Sequence, residues 1–279
     1  MKKIIALAVA SAFVAPAFAA EVTLSGSQEF GYKDVNGVTT SDMDGTVVVS
    51  ASTETANGIA VTAKINLSGE GANDGGSGIT MAGPFGTLAL GDAPSAADAF
   101  DVAEYSKLVG IASLAAPDAA ISWTLPATVE GLTVLVTNGA DNNNASSGEN
   151  HTGVGVKYAT GPVSVAYAKN DNEDDTTITV VAASLTMAGI TVNAEQSEDG
   201  TSGATTEKSI FGAKYTMGDV TIYGQNQSEE NTSGVKTADV TAVGLHYDLG
   251  GGVTAFFETS SDDKNAALDS TGVGVVVAF

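Results

Sequence analysis

Ser270-Thr-Gly-Val-Gly-Val-Val-Val-Ala-Phe279 closes the chain. Val273, Val275, Val277 and Phe279 fall on alternate positions, with Gly272 before them and Gly274 among the residues between them. A period of two puts these apolar groups on one face of an extended strand and excludes a helix with one buried face. The same alternation sets Ile59, Val61, Ala63, Ile65 and Leu67 against Thr62, Lys64, Asn66 and Ser68. It sets Val163, Val165 and Tyr167 against Ser164, Ala166 and Ala168.

Working back from this strand, sixteen such segments are expected: 20–34, 44–53, 57–69, 78–83, 85–91, 119–125, 131–138, 151–159, 161–169, 176–187, 189–197, 206–217, 219–228, 238–249, 252–260 and 270–279. No later stretch is apolar and long enough for a spanning helix, and only helices and closed barrels satisfy every backbone group in lipid. An even strand number brings both chain ends to the same side of a membrane. The fold class that follows is all-β, a 16-stranded antiparallel transmembrane barrel. Its connections alternate between terse ones, such as Ala56-Asn57-Gly58 and Ala188-Gly189, and longer acidic ones at 34–45, 69–78, 92–118, 138–150, 170–175, 198–206, 228–237 and 260–269. Short periplasmic turns opposite longer external loops give this asymmetry. The connection 92–118 is too long to be idle in a compact fold.

The N-terminal segment carries Lys2 and Lys3, an apolar run from Ile4 to Val14 and a small-x-small site at Ala17-Phe18-Ala19. This pattern is that of a cleaved export signal over residues 1–19, followed by one barrel domain over 20–279. The whole chain has 33 acidic residues, 33 glycines, no cysteine, and 11 basic residues that are all lysine. With two lysines in the signal, thirty-three acids against nine lysines leave 24 net negative charges beyond it. Such a chain repels nucleic acid and favours cations, and the absence of arginine removes the bidentate clamp for phosphate. The destination expected is the outer membrane of a Gram-negative bacterium, as a multi-pass barrel. Trp123, Tyr158, Tyr215, Tyr247 and Phe279 share the apolar parity near one rim, and Tyr32, Tyr167 and Phe257 near the other, as interfacial aromatics should.

The leading strand Glu21-Val-Thr-Leu-Ser-Gly26, the turn Ser52-Thr-Glu-Thr-Ala-Asn-Gly58, the strand Gly86-Thr-Leu-Ala-Leu-Gly-Asp92 before a long loop, and the terminal Phe279 together resemble the Gram-negative general porins. The resemblance runs along essentially the whole chain after the signal. It implies a homotrimeric diffusion channel whose third external loop folds into the lumen and narrows it, and whose second loop, here Ser68 to Gly78, reaches a neighbouring subunit. It also implies a basic wall facing acids on the third loop. Without arginine only lysines can supply that wall, and parity turns Lys64, Lys157 and Lys214 inward, with Lys33 nearer a rim.

At the constriction the expected residues are Asp92, Asp98, Asp101, Glu104 and Lys64, with Lys33, Lys157 and Lys214 as further lining groups. Asp98, Asp101 and Glu104 are spaced i, i+3, i+6, so a helix there would bring all three carboxylates to one face. Other chemistries lack their signatures. Asn170-Asp-Asn-Glu-Asp-Asp175 has Ala182 where a calcium loop needs glutamate, and His151 and His246 have no partners at zinc spacing. Gly153-Val-Gly155 and Gly272-Val-Gly274 lie within strands without the helix a dinucleotide fingerprint needs, and read as small inward residues. No nucleophile and base stand in a hydrolase pattern. The function expected is passive diffusion of small hydrophilic solutes with preference for cations, without enzyme chemistry or cofactor. The alternative is a structural or adhesive barrel whose lumen is plugged by 92–118.

Overall fold

A computed structural model describes residues 21–68, 76–102, 104–109, 111, 118–139, 151–172, 176–201 and 204–279. The export segment and most of the second loop expected to reach a neighbour lie outside these residues, as do parts of the third loop and of the acidic run after Asn170. The strands are β1 (Glu21–Val35), β2 (Val38–Glu54), β3 (Ala60–Ser68), β4 (Ser77–Gly83), β5 (Gly86–Ala93), β6 (Ala119–Thr124), β7 (Leu132–Gly139) and β8 (His151–Thr160). They continue as β9 (Val163–Asn172), β10 (Thr177–Met187), β11 (Ile190–Thr201), β12 (Ala204–Met217), β13 (Val220–Asn231), β14 (Lys236–Gly250), β15 (Val253–Asp262) and β16 (Ser270–Ala278). Each pairs antiparallel with its sequence neighbours, and β1 also pairs with β16, so the sheet closes into a 16-stranded barrel. Among the described residues no helix is long and apolar enough to cross a membrane.

Closure is finished by the last residue. Gly26 donates its N–H to the Phe279 carbonyl at 2.9 Å and accepts from the Phe279 N–H at 3.0 Å. The fit is close, since a Cβ on Gly26 would lie 3.0 Å from the Phe279 ring and 2.4 Å from the Thr46 carbonyl.

Alternation sorts the side chains as the sequence implies. Val273, Val275, Val277 and Phe279 are exposed on the outer surface, and so are the eight aromatic residues from Tyr32 to Phe279 assigned to the two rims. Trp123 also donates its indole N–H to the Phe85 carbonyl in the β4–β5 turn. Buried side chains lie on the opposite parity, facing the lumen, where a short helix and the chain after it pack against the wall.

One expected loop is absent. Residues 34–45 are continuous with β1 and β2 except for Asn36 and Gly37, whose φ values are +52° and +81°. Both central residues in the left-handed region make this the two-residue hairpin turn whose twist matches the flanking strands. The Asn-Gly pair is the local signal for it, and the acidic residues around it belong to long strands. Ala188 and Gly189 repeat the conformation at the opposite rim, at +52° and +79°.

The outward parity of β16 is testable on adjacent residues. A side chain at Gly274 would meet the Phe256 ring and the Phe30 carbonyl, both at 2.5 Å, so Val276, which faces the lumen, is the proper control. Val275→Lys places charge in hydrocarbon at a cost of about 2–4 kcal/mol near the midplane, whereas Val276→Lys meets water. Folding yield in lipid vesicles should fall for the first variant and stay near wild type for the second. Equal yields would reverse the assigned faces.

Candidate functional site

The third external connection, between β5 and β6, turns into the barrel. Ser95 caps a helix, α1 (Ala96–Phe100), by accepting the Asp98 N–H on its side-chain oxygen at 3.3 Å. The helix packs against β7 to β10 through Ala96, Ala97 and Phe100, all buried. Asp101 ends it with extended backbone at φ −64° and ψ 171°. The shared helical face expected for Asp98, Asp101 and Glu104 therefore does not form. After one and a half turns the chain straightens, because it must follow a curved wall that a helix cannot hug for long.

Beyond the helix the loop is held to the wall by side chains from alternate strands. Val102 donates its backbone N–H to Glu195 Oε2 on β11 at 2.8 Å. The Tyr105 N–H goes to Gln225 Oε1 on β13 at 3.1 Å. On β15, Glu258 accepts from the Lys107 N–H at 2.8 and 2.9 Å and from the Leu108 N–H at 3.0 Å. The spacing follows from geometry. Neighbouring strands lie about 4.8 Å apart, so every second strand is about 10 Å on, which three extended residues span. An extended segment cannot satisfy its own donors, and the wall supplies acceptors at that interval.

Glu258 is fully buried, and His246 on β14 meets its other face, Nε2 to Oε1 at 3.0 Å. The imidazole stacks edge-on between Tyr223 and Phe256, which fixes its plane. Two amide donors and an imidazole thus compensate a carboxylate removed from water.

Inward glycines make room for this course. A Cβ on Gly155 would lie 2.3 Å from the Phe100 ring, one on Gly153 3.0 Å from Ala96, and one on Gly212 3.1 Å from Tyr105. At the far end, Leu108 would be met at 2.5 Å from Gly31 and 3.2 Å from Gly272. Gly153, Gly155 and Gly272, read from sequence as merely small, join Gly212 and Gly31 in a track under the loop, from β8 round to β1.

The predicted site residues separate into groups. Asp92, at the outer end of β5, shares a side-chain hydrogen bond with Asp118 at the other root of the loop. Burial, and then the charges of Asp92 and Asp98, push the Asp118 carboxyl above its ordinary value. Partial desolvation does the same to Asp98. Asp98 and Glu104 are exposed to the lumen, whereas Asp101 is half-buried beside a cavity of about 270 Å³ that Lys157 and Lys214 also line. Lys64 is exposed on β3 and Lys33 half-buried on β1, both on the lumen parity. Sequence reasoning did not single out Glu195, Gln225, Glu258, Lys107, Asp118 or Lys208. Lys208 is inward and buried and pairs with Glu229 at 3.1 Å. Parity alone marks Glu195, Gln225 and Glu258 as inward polar residues, but only the loop's path identifies what they bind.

Truncating the far peg should loosen the loop end. Glu258→Ala leaves the Lys107 and Leu108 donors without their acceptor, a loss of about 1–3 kcal/mol. Amide exchange at Lys107 and Leu108 should quicken by roughly 5–150-fold, with a smaller change at Val102, which Glu195 holds. Unchanged exchange at all three amides would mean that Glu258 does not secure the loop.

With this geometry in place, comparison with known proteins is informative. The family model described as Gram-negative porin matches residues 6–267. A porin refined at 1.8 Å resolution superposes with a TM-score of 0.73 at 19% identity, covering 93% of this chain and 100% of its own. A loop-deletion mutant of OmpT, an outer membrane protein of Vibrio cholerae, gives 0.76 at 15% identity over 94% of this chain and 100% of its own. A mutant of the Rh. blastica porin gives 0.72 at 17% over 93% and 100%. At these identities the superpositions speak to the fold. No curated protein sequence matches the chain.

Proposed function

The chain belongs to the Gram-negative porin family, an outer-membrane barrel and diffusion channel on that ground, and we propose from it a channel that prefers cations, works as a homotrimer and is exported by a cleaved signal over residues 1–19. The observation that carries the reading is the course of the third loop. Its described part, up to Val109, follows the wall from β8 round to β1, with Asp98 and Glu104 exposed on its free side. A segment pinned to the wall in this way narrows a passage without filling it, which supports a channel over the plugged barrel.

Cation preference is supported by charge. Twenty-four net negative charges beyond the signal and no arginine bias the field, and low-dielectric walls focus it on ions in the lumen. The acids assigned to the constriction in this reading are Asp92, Asp98, Asp101 and Glu104. Lys64 lies on the lumen parity of β3, with Lys33, Lys157 and Lys214 elsewhere on the lining. Lysines are mobile point charges and cannot form the rigid planar stack that arginines would, so their offset is partial.

Reversal potentials in potassium chloride gradients should show cation preference at low salt that shrinks as the screening length falls from about 30 Å at 0.01 M to about 3 Å at 1 M. Asp98→Asn with Glu104→Gln should reduce it, since these two carboxylates face the water. Because Asp98 and Asp118 hold protons to higher pH than an ordinary aspartate near 3.9, acidification should erode the preference before that value is reached. Low-salt selectivity unaffected by the double variant would move the decisive charge to the outer loops.

The homotrimer is expected to use the outer face of the first strands, where Val47, Val49 and Ala51 present modest side chains. Native mass measurement in mild detergent should give three chains per particle. A monomer persisting across several mild detergents and in lipid nanodiscs would refute the assembly.

A further inference from the structure

Beneath the third loop, on the side toward the short turns, the lumen wall holds an alcove of about 270 Å³. Its floor is the inward face of β9 and β10, where Ala166 and Ala182 leave space, and its roof is the loop itself through Phe100 and Tyr105. Lys157 on β8 stands at one flank and Lys214 on β12 at the other.

Three features mark it as a place for a ligand and not a packing remnant. Neither Lys157 nor Lys214 has a carboxylate within ion-pair distance among the described residues, although the chain carries three acids for each lysine. Lys214 Nζ instead rests 4.9 Å from the centre of the Tyr105 ring, a contact that orients the ammonium without neutralising it. The Tyr105 hydroxyl, on a residue 6% exposed, is buried with no hydrogen-bond partner. A buried hydroxyl without a partner costs free energy that a bound acceptor would recover. Glu195, the acid beside the roof, is turned to the Val102 amide. Among the residues that line the alcove itself the charged groups are Lys157, Lys214 and Asp101, two positive against one negative.

We propose that this alcove is a subsite for small organic dicarboxylates. One carboxylate pairs with Lys157 and the other with Lys214, the Tyr105 hydroxyl donates to one of them, and the short apolar spine lies along Ala166 and Ala182. The site gives an anion a foothold just past the constriction in a channel whose mean field opposes it. A single carboxylate engages one lysine only, so a monocarboxylate binds more weakly.

The inference rests on the lumen being an open channel, and the experiment separates the two. Potassium current through single reconstituted channels is recorded at about 0.1 M salt, where screening is moderate, while succinate, acetate or butane-1,4-diol is added. Succinate should reduce the current in a saturable way, acetate at higher concentration, and the uncharged diol should act only as an inert solute. Lys157→Gln with Lys214→Gln should raise the half-blocking concentration at least about tenfold, the loss of roughly one charge-assisted contact. The Lys157→Arg and Lys214→Arg pair should keep the block, as should Lys236→Gln, whose lysine pairs with Asp239 on β14. Current untouched by succinate, equal effects of succinate and the diol, or a block indifferent to the glutamine pair would each overturn the alcove while leaving the channel. A barrel that carried no current would overturn the channel reading, and this inference with it.

Discussion

Backbone groups in hydrocarbon have no water to bond, so every N–H and C=O of the spanning region must find its partner within the chain. That constraint makes the sheet close, and it gives the C-terminal residue its place. Phe279 bonds Gly26 in both directions, and the ring of strands has no free edge in lipid. The same demand acts again inside the barrel. The third loop leaves its helix as extended chain, whose donors have no ladder to join. Glu195, Gln225 and Glu258 take the place of that ladder, one acceptor on each second strand.

This arrangement divides the acids of the lumen into two populations. Glu195 and Glu258 are buried, and Glu195 Oε2 and both oxygens of Glu258 accept from backbone amides, so these acids hold the loop. Asp98 and Glu104 keep their carboxylates in the lumen water. The loop is therefore both the object held by the first set and the carrier of the second. Shape and charge at the narrowest point are coupled through a few hydrogen bonds. Close approach depends equally on what is missing from the wall, since Gly155, Gly212 and Gly272 lie where any larger residue would push the loop toward the axis.

The alternating Val273, Val275, Val277 and Phe279, repeated in kind along sixteen segments, were enough to determine strand number, antiparallel order, which face meets lipid and which side chains line the lumen. Those properties are local, because a period of two and a short turn are written in consecutive residues. The turn at Asn36-Gly37 also has a local signal, an Asn-Gly pair that decides the hairpin despite the acidic residues around it. The inward direction of Lys64, Lys157 and Lys214 followed from the same parity. What the tertiary structure alone decided was the partner of each inward group. Asp101 is parted from Asp98 and Glu104 because the helix ends at Phe100. Glu258 meets Lys107 across 151 residues, and Lys157 and Lys214 share one cavity from strands four apart. Each of these depends on how far an extended loop travels round a closed wall, a distance set by the curvature and spacing of the whole barrel and by no stretch of sequence.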